Sequence, residues 1–106
     1  MKELVEFNEG LQWRVDEGGT FVLGVTQGAL DLAGAISGFD LADVDDEFEA
    51  GDWIGEIQGK NSLVEMLAPF ALKVVERNEE VLGQPGLLED DPTGDAWVLR
   101  AERVDG

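Results

Sequence analysis

The chain contains no cysteine, no histidine and no tyrosine among its 106 residues. Without cysteine no disulfide forms, and zinc, iron–sulfur and haem centres lose their usual ligands. Without histidine or tyrosine, general acid–base work falls to carboxylates or lysine. Basic side chains are scarce as well: seven Lys and Arg stand against 24 Asp and Glu, a formal net charge of −17. Such a surface repels nucleic acid and anionic membrane and slows self-association at low salt. It fits a high-salt cell and basic protein partners equally. Long apolar runs are also missing. The most apolar stretch, Phe21 to Phe39, is broken by Thr26, Gln27, Asp31 and by glycines and serines, so it is no membrane span. The opening MKELVEFNEG carries acids where a signal peptide needs apolar residues, and a soluble, cytoplasmic domain is the expectation.

What is present suits one domain over residues 1–106 with a single modest core. Val5 and Phe7 suit an edge strand. Gln12 to Val15 alternate, Glu17-Gly18-Gly19 marks a turn, and Thr20 to Thr26 (TFVLGVT) predicts a strand. Gln27 to Ala33 places Ala29, Leu32 and Ala33 at helical spacing, with Gly34 placed to cap its C-terminus. Ala35 to Leu41 returns to strand, with Ile36, Phe39 and Leu41 facing inward. Asp40 to Asp52 holds seven acids among thirteen residues, with Val44 and Phe48 as expected inward anchors. Phe70 to Glu76 reads as a strand, and Asn78 as an N-cap opening one helical turn. Gln84 to Asp95, punctuated by Pro85, Gly86, Pro92 and Gly94, reads as a surface loop. Ala96 to Val104 reads as a last strand with Trp97 and Leu99 on one face. Many short strands at regular spacing predict a mainly β sandwich or small barrel.

The centre of this pattern is Trp53 to Pro69, WIGEIQGKNSLVEMLAP. Apolar alternation over Ile54 to Gln58 and Leu63 to Leu67 flanks Gly59-Lys60-Asn61-Ser62, a hairpin signal in which Gly and Asn tolerate positive φ. Lys60, one of three lysines, falls at or next to the tip. A lone lysine on a rigid turn suits covalent attachment of a swinging cofactor, and suits a solvated turn equally.

Other constellations fail on spacing. Asp43, Asp45, Asp46 and Glu47 suggest calcium, but an EF-hand loop needs glycine where Phe48 stands and glutamate where Ile54 stands. An acidic metal-binding module remains an alternative on these residues. Gly24, Gly28 and Gly34 match neither the dinucleotide nor the P-loop template. Trp13, Trp53 and Trp97, far apart in sequence, suit core or rim packing.

Taken as a pattern, these residues resemble the H protein of the glycine cleavage system, a lipoyl/biotinyl-domain family, from about Trp13 to Arg103. Gly24-Val25-Thr26 is similar to the family's Gly-Ile-Thr, followed after seven residues by Gly34. Gly51 and Gly55 fall on family glycines, and Pro69 on the proline that opens the next strand. Val74-Val75-Glu76 with Asn78 is similar to Val-Val-Glu-x-Asn, and Asp91-Pro92-x-Gly94-x-x-Trp97 to the closing motif. No gap is needed between Gly24 and Trp97. The resemblance implies a flattened barrel-sandwich hybrid of two small antiparallel sheets with one or two short helices. It also implies a non-catalytic protein whose hairpin lysine carries lipoate in amide linkage. That arm would move an aminomethyl group among the decarboxylase, aminomethyltransferase and lipoamide dehydrogenase components.

The attachment position departs from the family. Eight residues before Pro69, and twenty-seven after Gly34, the lipoyl position is Asn61, and the family's Glu-Ser-Val-Lys becomes Gln58-Gly59-Lys60-Asn61. Asparagine has no nucleophilic amine. Lys60 lies one residue early, and a one-residue slip along a strand reverses the face a side chain points to. A family glycine is replaced by Leu72, and the chain stops where the family would continue into C-terminal helices. The expectation is an H-like binding or regulatory protein with no cofactor. The alternative is a working carrier with lipoate on Lys60. Partners implied by the resemblance are the three glycine cleavage components or a lipoylating enzyme, with neither nucleic acid nor membrane.

Overall fold

Every strand ladder among the described residues is antiparallel, as the resemblance implies. The computed structural model describes residues 3–84, 86–90 and 96–104. In chain order the elements are β1 (Leu4–Phe7), β2 (Gln12–Glu17), β3 (Thr20–Val25), α1 (Gln27–Ala33), β4 (Ile36–Leu41), β5 (Glu47–Phe48), β6 (Trp53–Gly59), β7 (Leu63–Leu67), β8 (Leu72–Arg77), α2 (Glu79–Gly83), α3 (Leu87–Asp90) and β9 (Leu99–Arg103). They form a six-stranded sheet, β1-β2-β3-β9-β8-β5, and a three-stranded sheet, β4-β6-β7. β9 lies between β3 and β8 and pairs with both.

The core lies between the sheets. Leu23, Val25, Leu72, Val74, Leu99 and Ala101 from the larger sheet meet Ile57, Val64 and Met66 from the smaller, all buried. Burying such aliphatic side chains is worth about 1.5–3 kcal/mol each. Helix α1 plugs this sandwich with Ala29, Leu30 and Ala33. Its start is set by Thr26, whose Oγ1 accepts the Ala29 N–H at 3.3 Å and donates to the Gly10 carbonyl at 2.6 Å. Gly34 ends the helix as expected, at φ 78°, its N–H donating to the Leu30 carbonyl. Asn78 caps α2 by accepting the Glu80 N–H.

One buried polar side chain joins the two sheets. The Gln12 amide, fully buried on β2, accepts the Leu67 N–H at 2.8 Å and donates to the Leu67 carbonyl at 3.2 Å. It serves β7 as a substitute neighbouring strand. Asn8 then donates to Gln12 Oε1 at 2.7 Å.

Several expectations need correction. Val44 is 45% exposed rather than an inward anchor, whereas Phe48 is half-buried against the core. The backbone explains this: Asp45 N–H bonds the Val74 carbonyl and Val74 N–H bonds the Asp46 carbonyl, while Asp45 sits at φ 76°. That turn approaches β8 through its main chain and rotates Val44 outward. The stretch expected as a loop from Gln84 contains α3, which buries Leu88 completely. The strand expected from Phe70 starts at Leu72, and Val75 within it is exposed. The last strand starts at Leu99, so Trp97 lies outside it, half-buried with Arg100 5.7 Å from its ring. Pro85 and the Asp91 to Asp95 part of the closing motif lie outside the described residues.

Candidate functional site

The hairpin forms where apolar alternation predicts it. Its register pairs Gln58 with Leu63, Ile57 with Val64 and Glu56 with Glu65. One step nearer the tip, Gly59 N–H donates to the Ser62 carbonyl at 3.0 Å. Lys60 and Asn61 are therefore the two residues at the end of the turn, and both are exposed.

The turn does not use the positive φ that its glycine and asparagine suggest. Neither Gly59 nor Asn61 is among the described residues with φ in the left-handed region. Its geometry comes from a neighbour far away in sequence. Lys60 N–H donates to the Ala35 carbonyl at 2.8 Å, and the Asn61 and Ser62 N–H groups donate to the Ala33 carbonyl at 2.9 and 3.3 Å. The carbonyls left without partners at the end of α1 thus accept the amides of the hairpin tip. Gly59 is required by proximity. A Cβ built there would strike the Ala33 carbonyl oxygen and would lie 2.5 Å from its carbon and 2.7 Å from the Ala33 Cβ. The Asn61 side chain crosses Gly34, so that a Cβ on Gly34 would lie 2.6 Å from Asn61 Nδ2 and 2.9 Å from its Cγ. Sequence inspection identifies the tip but misses the end of α1 as part of the same site, because nothing local links residues 33–35 to residues 59–62.

The basic side chains separate sharply. Arg14 pairs with Asp16 at 2.7 Å, Arg77 with Asp43 at 2.7 Å and Lys73 with Asp45 at 3.9 Å. Arg100 bridges Glu17 and Glu76, and its pKa is raised above the ordinary arginine value, chiefly by the hydrogen bond it donates to Glu17. Arg103 lies 3.8 Å from the Phe70 ring centroid. Among the described residues, the Lys60 amine is the one base with neither an ion pair nor a ring contact. A Lys amine on a two-residue turn with no ion-pair partner among the described residues is free to meet an incoming group.

The solvent face of the small sheet is acidic. Asp40, Glu56 and Glu65 stand opposite one another across β4, β6 and β7. Gln58 Nε2 donates to Glu56 at 2.7 Å and to Asp40 at 3.1 Å, and Trp53 Nε1 donates to Glu56 at 3.1 Å. Elsewhere, Asp43 and Asp45 are turned toward Arg77 and Lys73. The described residues contain no group of three or more acidic side chains able to hold a metal ion, so the acidic-module alternative finds no centre there.

A family model for the glycine cleavage H-protein matches residues 5–105. The chain belongs to this family. Among curated relatives, the glycine cleavage system H protein of Staphylococcus haemolyticus is 33% identical over 101 residues, covering 95% of this chain and 80% of its own. That of Carboxydothermus hydrogenoformans is 33% identical over 98 residues, covering 92% and 75%. The crystal structure of a glycine cleavage system H protein from Mycobacterium marinum superposes with a TM-score of 0.87 over 95% of this chain and 84% of its own, at 20% identity. That likeness establishes the shared fold, and the two-sheet barrel-sandwich expectation holds. No described helix is long and apolar enough to cross a membrane.

Within this H-protein fold, the two candidate residues differ in chemistry as well as position. Asn61 offers a carboxamide, whose nitrogen is not a nucleophile. A carboxamide of this kind does not form a lipoyl amide. Lys60 has the amine, one residue away.

Proposed function

We propose that this H-family protein acts as a non-catalytic binding or regulatory domain rather than as a covalent carrier. The observation that carries this reading is Asn61 at the end of the two-residue turn, the residue that the count from Gly34 and Pro69 assigns to the attachment position and that brings a carboxamide in place of an amine. Nothing in the chain supplies a histidine or cysteine for chemistry of its own. Its partners are proteins of the glycine cleavage system, namely the decarboxylase, the aminomethyltransferase and lipoamide dehydrogenase, or an enzyme that lipoylates H proteins. The acidic face of β4, β6 and β7 suits basic surfaces on such partners, with charge complementarity speeding encounter and steering orientation.

A second reading is supported by one observation: the Lys60 amine is exposed and has no described partner. In that reading Lys60 carries lipoate and the protein is a working carrier with a displaced attachment point. Intact mass after co-expression with a lipoylating enzyme and lipoate, followed by peptide mapping, separates the two. An unmodified mass beside a fully modified control H protein is the expected result. A lipoyl adduct on Lys60 would replace the first reading by the second.

A further inference from the structure

Main-chain hydrogen bonds seat the hairpin tip on the end of α1, and this seating has a cause in a single position. Three N–H groups, from Lys60, Asn61 and Ser62, enter the carbonyls of Ala33 and Ala35 at 2.8–3.3 Å. They can do so only if the β6 strand ends with no side chain against Ala33. A Cβ at residue 59 would overlap the carbonyl oxygen, carbon and Cβ of Ala33 together. No rotation of a flexible group relieves that overlap, because its main partner is backbone. The serine that the resembling family pattern carries at this position is therefore incompatible with the tip seated as it is here.

We infer that Gly59 is a latch that seats the tip on the end of α1, and that the seated tip presents residue 60 outward while laying residue 61 along the helix end. Two contacts define the consequence for residue 61. Its N–H is tied to Ala33, and its side chain leaves the backbone across Gly34, where φ 78° and the closeness of Asn61 both require glycine. Any side chain at 61 starts along that path. Residue 61 is exposed, yet a lysine there would start along the end of α1, so an acylating enzyme would meet the helix end as well as the amine while the tip stays seated. The latch thus adds a positional barrier to the chemical one created by asparagine. It rests on the reading that position 61 is the family attachment point.

The test compares lysine at 61 with and without the latch, in chains that cannot react at 60. Lys60→Ala/Asn61→Lys and Lys60→Ala/Asn61→Lys/Gly59→Ser are incubated with a lipoate–protein ligase, ATP and lipoate, and adduct formation at residue 61 is followed by intact mass. The triple variant is expected to react at least about tenfold faster, the loss of one positional barrier worth about 1.4 kcal/mol. Leu72→Ala, added to the double variant in place of Gly59→Ser, loosens the core without touching the tip and is expected to leave the rate unchanged. Amide exchange on Gly59→Ser alone is expected to show lost protection at residues 60, 61 and 62, with the β6 and β7 amides as before. Equal rates with and without Gly59→Ser, no adduct on either, an equal gain from Leu72→Ala, or tip amides that stay protected in Gly59→Ser would each overturn the latch. An adduct on Lys60 in the unaltered protein would instead overturn the binding-domain function and leave the latch standing.

Discussion

Glycine permits close approach at several places in this molecule, and two of them, Gly24 and Gly59, differ in what comes close. At Gly24 on β3 the neighbour is a side chain. The Trp13 ring, 2% exposed, lies over the glycine so closely that a Cβ would sit 2.5 Å from its Nε1, while that Nε1 donates to the Val25 carbonyl at 3.0 Å. At Gly59 the neighbour is the backbone of Ala33. The first approach is inside the fold and is held by an indole that fills the seam between β2 and β3. The second is at an exposed turn and is held by hydrogen bonds between main chains. A glycine seam in the interior sets how stable the whole domain is. A glycine contact at the surface sets where one pair of residues points.

Four substitutions test that division, taken from the largest expected effect. Trp13→Ala empties the seam and should lower global stability by about 3–5 kcal/mol, read by urea unfolding followed through Trp53 and Trp97 fluorescence. A loss near zero would mean that the indole is not what holds β2 on β3. Gly24→Ala keeps the ring but forces it aside, at a cost of about 1–3 kcal/mol in the same measurement. Gly59→Ala should cost under about 1 kcal/mol globally, because an exposed turn can yield without opening the core. Its mark is local, the faster exchange of the amides of residues 60–62. If Gly59→Ala instead matched Gly24→Ala in the unfolding curve, the two contacts would be of one kind. Lys60→Ala should change stability by no more than about 0.5 kcal/mol, since the amine meets no described partner. A larger loss in thermal melts would show the amine to be part of the tip's support.

The same contrast explains what can be seen in the sequence. Period-two alternation announces β2, β6 and β7, β-rich composition announces β3, and the helical spacing of Ala29 and Ala33 with Gly34 behind it announces α1 at its observed bounds. These signals are local, written within a few residues. The expected attachment position can be counted from Gly34 and Pro69, fixed points on either side of the hairpin. What escapes is long-range. A Gly-x-Asn tip suggests that Gly59 serves a positive φ, yet its need arises from Ala33, twenty-six positions earlier in the chain. Leu88 escapes because Gly86 and the prolines around it mark the segment as a loop, while the core has room for one more leucine. Polarity alone places Val44 inward, and the backbone bonds of Asp45 and Asp46 to Val74 turn it out.

The position of β9 carries a consequence for how the molecule is made. The strand that completes the large sheet is late in the chain, yet it sits between β3 and β8 rather than at an edge. During synthesis, β1-β2-β3 and β5-β8 lack the strand that joins them, so any part of the sheet formed early ends in an unpaired ladder of N–H and C=O groups until β9 arrives. Such raw edges invite pairing between nascent chains. Twenty-four carboxylates on 106 residues oppose that encounter, since every partial product repels its copies. The acidity of this protein then has a use before there is any folded surface for a partner to bind: it keeps unfinished chains apart while they wait for their central strand.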